Sequence, residues 1–306
     1  MNKELRTMNK EQFEIINQGL LVRAPAKINL SLLVAGKRPD GFHEIETVMA
    51  KVNFYDEILI EPGLKPDIEL LCKGPNWAPA GKENLVYQAA KAFINACGVW
   101  ADIKITLTKN IPAGSGLGSA SSDAAATLMG LNKYLDINLP NRQLRKLAPP
   151  LGSDVAFFLD GPLAHCSGRG EKIKKLNKKF NFLALLILPN VSVSTKKAYD
   201  NYRHDSALYE ELSTRINSYI QENRIDLVVK MCANTLLTSC CSLVKDLAEL
   251  KTKIESLGIR PVCLSGSGSA MFYIIEDGDV EKARAYRDKL EEKIGCKSLI
   301  VSNNRW

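Results

Sequence analysis

Residues 112–122, PAGSGLGSASS, place three glycines and four serines directly before a segment with helical character. Glycine lets the backbone turn its N–H groups inward and approach a ligand closely, and the first turn of a helix leaves N–H groups unpaired. Together these features favour a binding site for an anion such as a phosphate. A glycine-rich turn without a ligand is the alternative, but its small residues would lose conformational entropy without gaining packing contacts.

The spacing within this loop excludes common phosphate-binding motifs. A Walker A loop needs Lys-Ser or Lys-Thr after its last glycine, whereas Ser119 and Ala120 follow Gly118. Gly114, Gly116 and Gly118 are one residue too close together for the dinucleotide-binding fingerprint. The sequence also lacks the HRD and DFG motifs of protein kinases. The loop therefore belongs to another class of phosphate site.

The composition describes an ordinary globular protein. The chain has 306 residues, of which 45% are hydrophobic and 25% charged, and this length suffices for two domains. No apolar run reaches the length of a membrane span. The first residues contain acids and no apolar core, unlike a signal or transit peptide. We therefore expect a cytoplasmic protein with no membrane partner, and a frayed or weakly helical extension at residues 1–19.

Cysteine and charge patterns limit the possible ligands further. The eight cysteines form no CxxC pair and lie mostly among apolar residues, which predicts reduced, buried thiols rather than disulfides or zinc ligands. The net charge of +7 suits an anionic ligand, either a nucleotide or a nucleic acid. Outside residues 171–180 the lysines are dispersed, and no basic stripe with aromatic residues indicates RNA binding. We expect no nucleic-acid partner.

The hydrophobic pattern predicts two α+β units. The first contains predicted strands at 20–34, 43–52, 56–62, 67–73 and 101–110, and helices at 83–98 and 121–135. The second contains strands at 182–189, 261–264, 270–275 and 297–302, and helices at 206–221, 225–236, 242–257 and 279–294. The predicted domains are 20–175 and 176–306.

Three further segments carry residues that suit a site. Lys27 lies in an apolar, strand-like stretch, Asp154 follows a Gly-Ser pair among apolar residues, and residues 264–275 contain a second glycine-serine run. Each also has an ordinary interpretation: an edge-strand lysine that reaches solvent, a carboxylate that caps a turn, and a tight turn between strands. The alternatives are a buried cation that needs an anionic partner and a base in a partly dry pocket.

The order of these segments resembles that of the GHMP kinases, which include galactokinase, homoserine kinase and mevalonate kinase. The matching motifs are PAKINLSL, GFHEIET, PAGSGLGSASSDAA, LGSDVAFF and SGSGSAMF. Four stretches, KRPDGFHEIETVM, GSDVAFF, SGRGEKI and PNVSVSTKKAY, are similar to the branch of the family that acts on a cytidine-diphosphate-linked methylerythritol. The resemblance covers residues 20–306. It implies a ribosomal-protein-S5-domain-2-like ATP domain and a ferredoxin-like C-terminal α+β domain.

The resemblance also implies an activity and its residues. It implies an ATP- and Mg²⁺-dependent kinase of non-mevalonate isoprenoid synthesis that phosphorylates the 2-hydroxyl of this small molecule, with Asp154 as general base beside Lys27. The residues implied for ATP binding are Pro112, Ala113, Gly114, Ser115, Gly116, Leu117, Gly118, Ser119, Ala120, Ser121 and Ser122. Those implied for the substrate are Asn29, Phe42, His43, Thr195 and Tyr199, with Gly266, Ser267 and Gly268 between the domains.

The chain departs from the family pattern at a few positions. Phe42 stands where tyrosine is usual, Ala156 replaces a proline and is expected to loosen the backbone after Asp154, and Pro149-Pro150 is expected to end the preceding helix early. Two alternatives stay open: a GHMP kinase of the mevalonate or homoserine type, and an RNA-binding protein on an S5-like scaffold. The motifs do not specify the magnesium ligands or choose between a monomer and a weak dimer.

Overall fold

The computed structural model describes residues 10–64, 67–99, 102–176 and 180–306, which are organised around two β-sheets. Residues 1–9 of the predicted extension, residue 101 of a predicted strand and residues 177–179 of the basic run lie outside this description. The first sheet contains β1 (Phe13–Ile16), β2 (Gly19–Lys37), β3 (His43–Pro62), β4 (Ile68–Lys73), β5 (Ile103–Thr108), β6 (Leu163–Gly168) and β7 (Lys172–Lys175). The second contains β8 (Leu183–Ile187), β9 (Cys263–Leu264), β10 (Met271–Ile275) and β11 (Ser298–Ser302).

The long strand β3 connects the two halves of the first sheet. The main order is β1-β2-β3-β5-β4; the beginning of β3 pairs with β6 and its end pairs with β5. The two strands predicted at 43–52 and 56–62 are therefore one strand. The second sheet is antiparallel, with the order β11-β8-β10-β9. Its arrangement and that of the first sheet agree with the expected α+β fold.

The α-helices of the described residues include one at each of the six predicted positions and four short helices that the sequence did not predict. In the first unit they are α1 (Leu85–Cys97), α2 (Ser119–Tyr134), α3 (Asn141–Leu144) and α4 (Val155–Phe158). In the second they are α5 (Thr195–Asp200), α6 (Ser206–Gln221), α7 (Ile225–Lys230), α8 (Leu237–Leu243), α9 (Lys245–Ser256) and α10 (Val280–Ile294). None of the helices in the described ranges is long and apolar enough to cross a membrane.

Local capping explains where the helices around the site begin and end. The Asn84 side chain accepts a hydrogen bond from the Val86 N–H at the start of α1, and Gly98 ends that helix in the left-handed conformation. Helix α2 begins after Gly118, whose φ of 70° is also left-handed. Small residues on α2 let it lie close to the sheet, since a Cβ on Gly130 would approach Val22 and Ile60 to 2.7 Å. This close packing holds the later turns of α2 against β2 and β3.

The two sheets share one hydrophobic core. Ile28 and Leu30 of β2 are buried in the same cluster as Leu186 of β8 and Phe272 of β10. Isolated bridges also join Leu32 to Asn234, and Val52 to Asn303. The interface between the sheets is therefore a continuous packed region. The limits of the two domains stay predictions.

Four sequence expectations are corrected by the structure. Residues 13–16 of the extension form a strand rather than a weak helix, because the edge of β2 offers them backbone hydrogen-bond partners. The helix predicted at 225–236 ends at Lys230, and that predicted at 242–257 is preceded by a separate helix, α8. Cys232 and Cys263 form a disulfide, with Cα atoms 5.2 Å apart. The prediction of reduced thiols was wrong for this pair, since the fold brings two distant positions together, whereas the other six cysteines are free.

Candidate active site

A cavity of about 850 Å³ is lined by strands β2 and β3, the glycine-rich loop, the start of α4 and the loop after β9. It brings together most of the residues that the sequence predicted for a site: Lys27, Asn29, Phe42, His43, Pro112, Ala113, Gly114, Ser115, Gly116, Gly118, Ser119, Ala120, Ser121, Asp154, Thr195, Tyr199, Gly266 and Ser267. Leu117, Ser122 and Gly268 are not part of the lining. Leu117 and Ser122 are instead buried beneath it.

Lys27 and Asp154 face each other in this cavity. Lys27 Nζ lies 3.8 Å from Asp154 Oδ2, with the lysine side chain 6% exposed and the aspartate side chain 30% exposed. Burial lowers the pKa of Lys27, and the charge of Asp154 opposes this shift. The pair therefore places a half-exposed carboxylate beside a dry ammonium group. Such a carboxylate can accept a proton from a ligand in the cavity.

Asn29 holds the ammonium group of Lys27 in place. Lys27 Nζ donates to Asn29 Oδ1 at 2.5 Å, and Asn29 Nδ2 donates to Thr47 Oγ1 at 2.8 Å. Thr47 in turn donates to the Ser31 carbonyl oxygen. The predicted contact between Asn29 and a substrate stays a prediction. In the structure its amide orients the catalytic candidate Lys27.

The glycine-rich loop needs its glycines for two different reasons. Gly114, Gly116 and Gly118 all have left-handed φ values, of 65°, 78° and 70°. A Cβ on Gly116 would overlap the carbonyl oxygen of Ser265, whereas one on Gly114 would meet no atom within 4 Å. A Cβ on Gly118 would lie 2.9 Å from Phe158 Cζ. The loop is thus packed tightly at Gly116 and Gly118, and open towards the cavity at Gly114.

A buried ionic cluster that the sequence analysis missed lies under the loop. Lys109 Nζ is 2.6 Å from Asp56 Oδ2 and 2.5 Å from Asp123 Oδ2, and it also contacts Ser119 Oγ. Asp56 Oδ1 accepts hydrogen bonds from the N–H groups of Asn110 and Ile111, at 2.6 and 2.8 Å. The only sequence signal for Lys109 is its position at the end of a strand, three residues before the loop.

The charged groups of this cluster differ in how their surroundings shift their pKa and in how well they are hydrogen-bonded. Burial disfavours the charged ammonium, but the carboxylates of Asp123 and Asp56 outweigh it and raise the pKa of Lys109. Burial and the neighbouring Asp56 carboxylate raise the pKa of Asp123 well above its usual range. Asp123 Oδ1 is buried without a hydrogen-bond partner among the described residues. Asp56 is therefore the well-satisfied member of the pair and Asp123 the strained one.

Aromatic residues line the opposite part of the cavity. The rings of His43 and Tyr199 are 5.4 Å apart, and burial together with the charge of Lys37 lowers the pKa of His43. Phe42 is 50% exposed. Thr195 Oγ1 and Ser267 Oγ are within hydrogen-bond distance, at 2.8 Å. This part of the cavity suits a flat, partly apolar group such as a nucleobase.

The glycine loop, the carboxylate–lysine pair and the two-sheet fold together define a small-molecule kinase of the GHMP class. Residues 84–162 match the model of the GHMP kinase N-terminal domain. A homoserine kinase from Cytophaga hutchinsonii has a similar fold, with a TM-score of 0.74 at 20% identity over 97% of this chain and 98% of that one. The expected fold class is thereby confirmed.

Relatives of higher identity identify the branch within this class. The chain is 36% identical to a 4-diphosphocytidyl-2-C-methyl-D-erythritol kinase from Geobacillus sp. (strain WCH70), with 84% of this chain and 88% of the relative covered. It is also 36% identical to that kinase from Syntrophotalea carbinolica, over 91% and 96% of the two chains. A crystal structure of the same kinase superposes with a TM-score of 0.74 at 30% identity, covering 94% of this chain and 100% of that one.

The chain belongs to the family of 4-diphosphocytidyl-2-C-methyl-D-erythritol kinases. It is therefore an ATP-dependent kinase, as the motif resemblance implied.

The buried cluster predicts unequal effects of two matched substitutions on stability. In the wild type both oxygens of Asp56 accept hydrogen bonds, so Asp56→Asn would put an amide NH₂ group against one of these donors. We expect this substitution to lower the free energy of unfolding by about 3–5 kcal/mol at neutral pH. Asp123→Asn removes repulsion from Asp56, so its effect should be much smaller. Urea unfolding of both variants measures the difference. A larger loss in Asp123→Asn than in Asp56→Asn would contradict this assignment.

The same cluster gives the sign of a pH dependence. Because the pKa of Asp123 is raised in the folded protein, this group stabilises the fold at low pH, and the contribution is lost as pH rises through the raised value. The wild type should therefore lose stability relative to Asp123→Asn as pH increases. A constant difference between them across pH would argue against the raised pKa.

Proposed function

We propose that this kinase transfers the γ-phosphoryl group of ATP to the 2-hydroxyl of 4-diphosphocytidyl-2-C-methyl-D-erythritol, a step of non-mevalonate isoprenoid synthesis. The substrate follows from the names of the relatives. The observation that carries the proposal is the position of the Lys27–Asp154 pair, in one cavity with the glycine loop and with the aromatic residues Phe42, His43 and Tyr199. A phosphate donor and a nucleoside-linked acceptor can both reach the pair there.

Residues 112–122 bind the ATP phosphates in this proposal. Glycines with left-handed φ at alternate positions turn successive N–H groups to one side, and the N-terminus of α2 adds its partial positive charge. Phosphoryl transfer mainly requires that the reacting groups be aligned and their charge neutralised. In this proposal the loop both aligns the phosphates of ATP and neutralises their charge.

Asp154 and Lys27 act on the acceptor side. Asp154 accepts the proton of the attacking hydroxyl, and Lys27 orients Asp154 and stabilises negative charge on the transferred group. A tertiary alcohol is weakly acidic and crowded, so a fixed base aids its attack. Thr195 and Tyr199 complete the pocket for the cytidine part, and Gly266 and Ser267 line the site between the domains.

Magnesium is part of the proposal as the partner of ATP. In the described residues, no group of three or more His, Cys, Asp or Glu side chains could hold a metal ion. The residues present fit an ion held mainly by phosphate oxygens, because Asp123 lines the cavity and one of its carboxylate oxygens has no hydrogen-bond partner. When bound, the ion neutralises phosphate charge. The proposal also includes the cytoplasmic location expected from the sequence.

A substrate panel tests the proposed function directly. We expect ATP-dependent phosphorylation of the cytidine-diphosphate-linked methylerythritol, and none of free methylerythritol, mevalonate or homoserine at equal concentration. The aromatic part of the cavity explains this choice, since only the first compound carries a base. Product formation is measured by phosphorus NMR. Faster turnover of mevalonate or homoserine would support a different GHMP kinase instead.

Replacing the catalytic pair should affect turnover rather than binding. Asp154→Asn keeps the shape and removes the proton acceptor, so kcat should fall by about 100- to 10,000-fold while the affinity for ATP is retained. Lys27→Met should lower kcat to a similar extent. The fall in kcat of the double variant should be much smaller than the product of the two single effects, because the two groups act together. Wild-type kcat in Asp154→Asn at saturating ATP and magnesium would exclude Asp154 as the base.

Replacing Phe42 should change KM for the acceptor substrate and leave KM for ATP unchanged. Base stacking on an aromatic ring contributes about 1–3 kcal/mol, so Phe42→Ala should raise KM for the cytidine substrate by about 5- to 150-fold. Phe42→Tyr keeps the ring and serves as the matched control, with KM near that of the wild type. Steady-state kinetics with each substrate varied in turn measure both values. An equal rise in KM for ATP would show that the pocket is assigned wrongly.

A further inference from the structure

Arg169 lies on the turn between β6 and β7 and covers the ring of Phe42. Its guanidinium carbon is 3.5 Å from the centroid of that ring. The turn is fastened to neighbouring segments: the N–H of Gly168 donates to Glu44 Oε1 at 3.0 Å, and the N–H of Arg169 donates to Glu171 Oε2 at 2.5 Å. The cation is therefore presented from a well-anchored position above an exposed aromatic ring.

The same turn borders the catalytic pair. Gly170, the next residue, is buried, and a Cβ added there would lie 3.6 Å from Asp154 Oδ1. The backbone of the turn thus runs beside Asp154 while the side chain of Arg169 extends over Phe42. One short turn therefore contacts both the ring proposed for base recognition, through Arg169, and the carboxylate proposed to take the hydroxyl proton, through Gly170.

The guanidinium group is free to bind an anion. Among the described residues it forms no salt bridge, because the nearby carboxylates of Asp40 and Glu44 are paired with Arg38, at 3.1 and 2.6 Å. A guanidinium stacked on a ring keeps its N–H donors in its own plane, where they can bind two oxygens of one phosphate. The stack therefore orients the group without using its hydrogen-bonding capacity.

We propose that Arg169 binds the diphosphate of the acceptor substrate. The inference rests on the proposed function, in which a diphosphate joins the cytidine to the polyol that is phosphorylated. With the cytidine at Phe42 and the hydroxyl at Asp154, the diphosphate must pass between them, where the turn carries Arg169. Arg169 is then a determinant of specificity for a nucleoside diphosphate ester over an uncharged nucleoside or a free polyol.

A ligand series separates this role from mere support of the Phe42 ring. Cytidine, cytidine monophosphate and cytidine diphosphate are titrated by calorimetry into the wild type, Arg169→Gln and Arg169→Lys. We expect Arg169→Gln to weaken binding of the diphosphate by about 10- to 100-fold and to leave cytidine within about twofold, since a charged hydrogen bond is lost only where a phosphate is present. Arg169→Lys keeps the positive charge but not the planar arrangement of donors. Its affinity for cytidine diphosphate should lie between those of the wild type and Arg169→Gln.

Arg287→Gln is the matched control, since it removes an equal charge from an exposed arginine of α10 that is paired with Asp288 and does not line the cavity. It should leave the ratio of diphosphate to cytidine affinity unchanged. If Arg169→Gln weakens the binding of cytidine and of cytidine diphosphate equally, or weakens neither, the role of Arg169 is overturned while the proposed function stays intact. If the wild type binds none of the three cytidine ligands, the proposed function fails and this inference fails with it.

Discussion

The ammonium group of Lys109 is buried between Asp56 and Asp123, and it fixes both ends of the glycine loop to the first sheet. Lys109 lies three residues before the loop, Asp123 follows the loop in the first turns of α2, and Asp56 belongs to β3. A dry ammonium group is strongly unfavourable without carboxylates in good geometry. The chain on either side of the loop must therefore keep its position, and the left-handed glycines adopt the path that remains between two fixed points.

The contact between the two glycine-serine loops joins this frame to the second sheet. Ser265 Oγ donates to the carbonyl oxygen of Gly116 at 3.0 Å, and the N–H of Ala270 donates to that of Ser115 at 3.0 Å. Gly116 has no room for a side chain at this contact. Because the two loops are in direct contact, a movement of the second sheet would displace the glycine-rich loop. The packed core shared by the two sheets opposes such a movement.

Periodicity and turn residues predicted the long helices and most of the strands, because alternation and apolar faces are local properties of the chain, whereas the strands β1, β6 and β7 and four short helices were not predicted. The pairing of Lys27 with Asp154 came from a family resemblance, and the structure brings the two side chains together. The cluster around Lys109, the stack of Arg169 on Phe42 and the disulfide of Cys232 with Cys263 were not predicted. Each joins positions from different elements, and no local pattern encodes which partners the packing will bring together.

The position of Asp154 depends on how the short helix α4 is held at its other end. Its own hydrogen bonds are long, with the N–H of Phe158 3.4 Å from the carbonyl oxygen of Asp154. The carbonyl groups of Phe158 and Asp160 accept from Lys51 Nζ at 2.9 and 2.7 Å, and that of Leu159 accepts from Asn141 at 2.9 Å. The loosening expected from Ala156 is therefore opposed by side chains of β3 and α3.

Lys51 can serve this purpose in either protonation state. Burial lowers its pKa to about 7, although the charge of Asp160 opposes the shift. A neutral amine still has two N–H donors, which are enough for both carbonyl groups. The ring of Phe158 meanwhile packs close to Gly118 and the side chain of Lys27. Lys27 and Asp154 lie 3.8 Å apart, beyond the usual length of a hydrogen bond, and the packing of α4 helps to hold them at this separation.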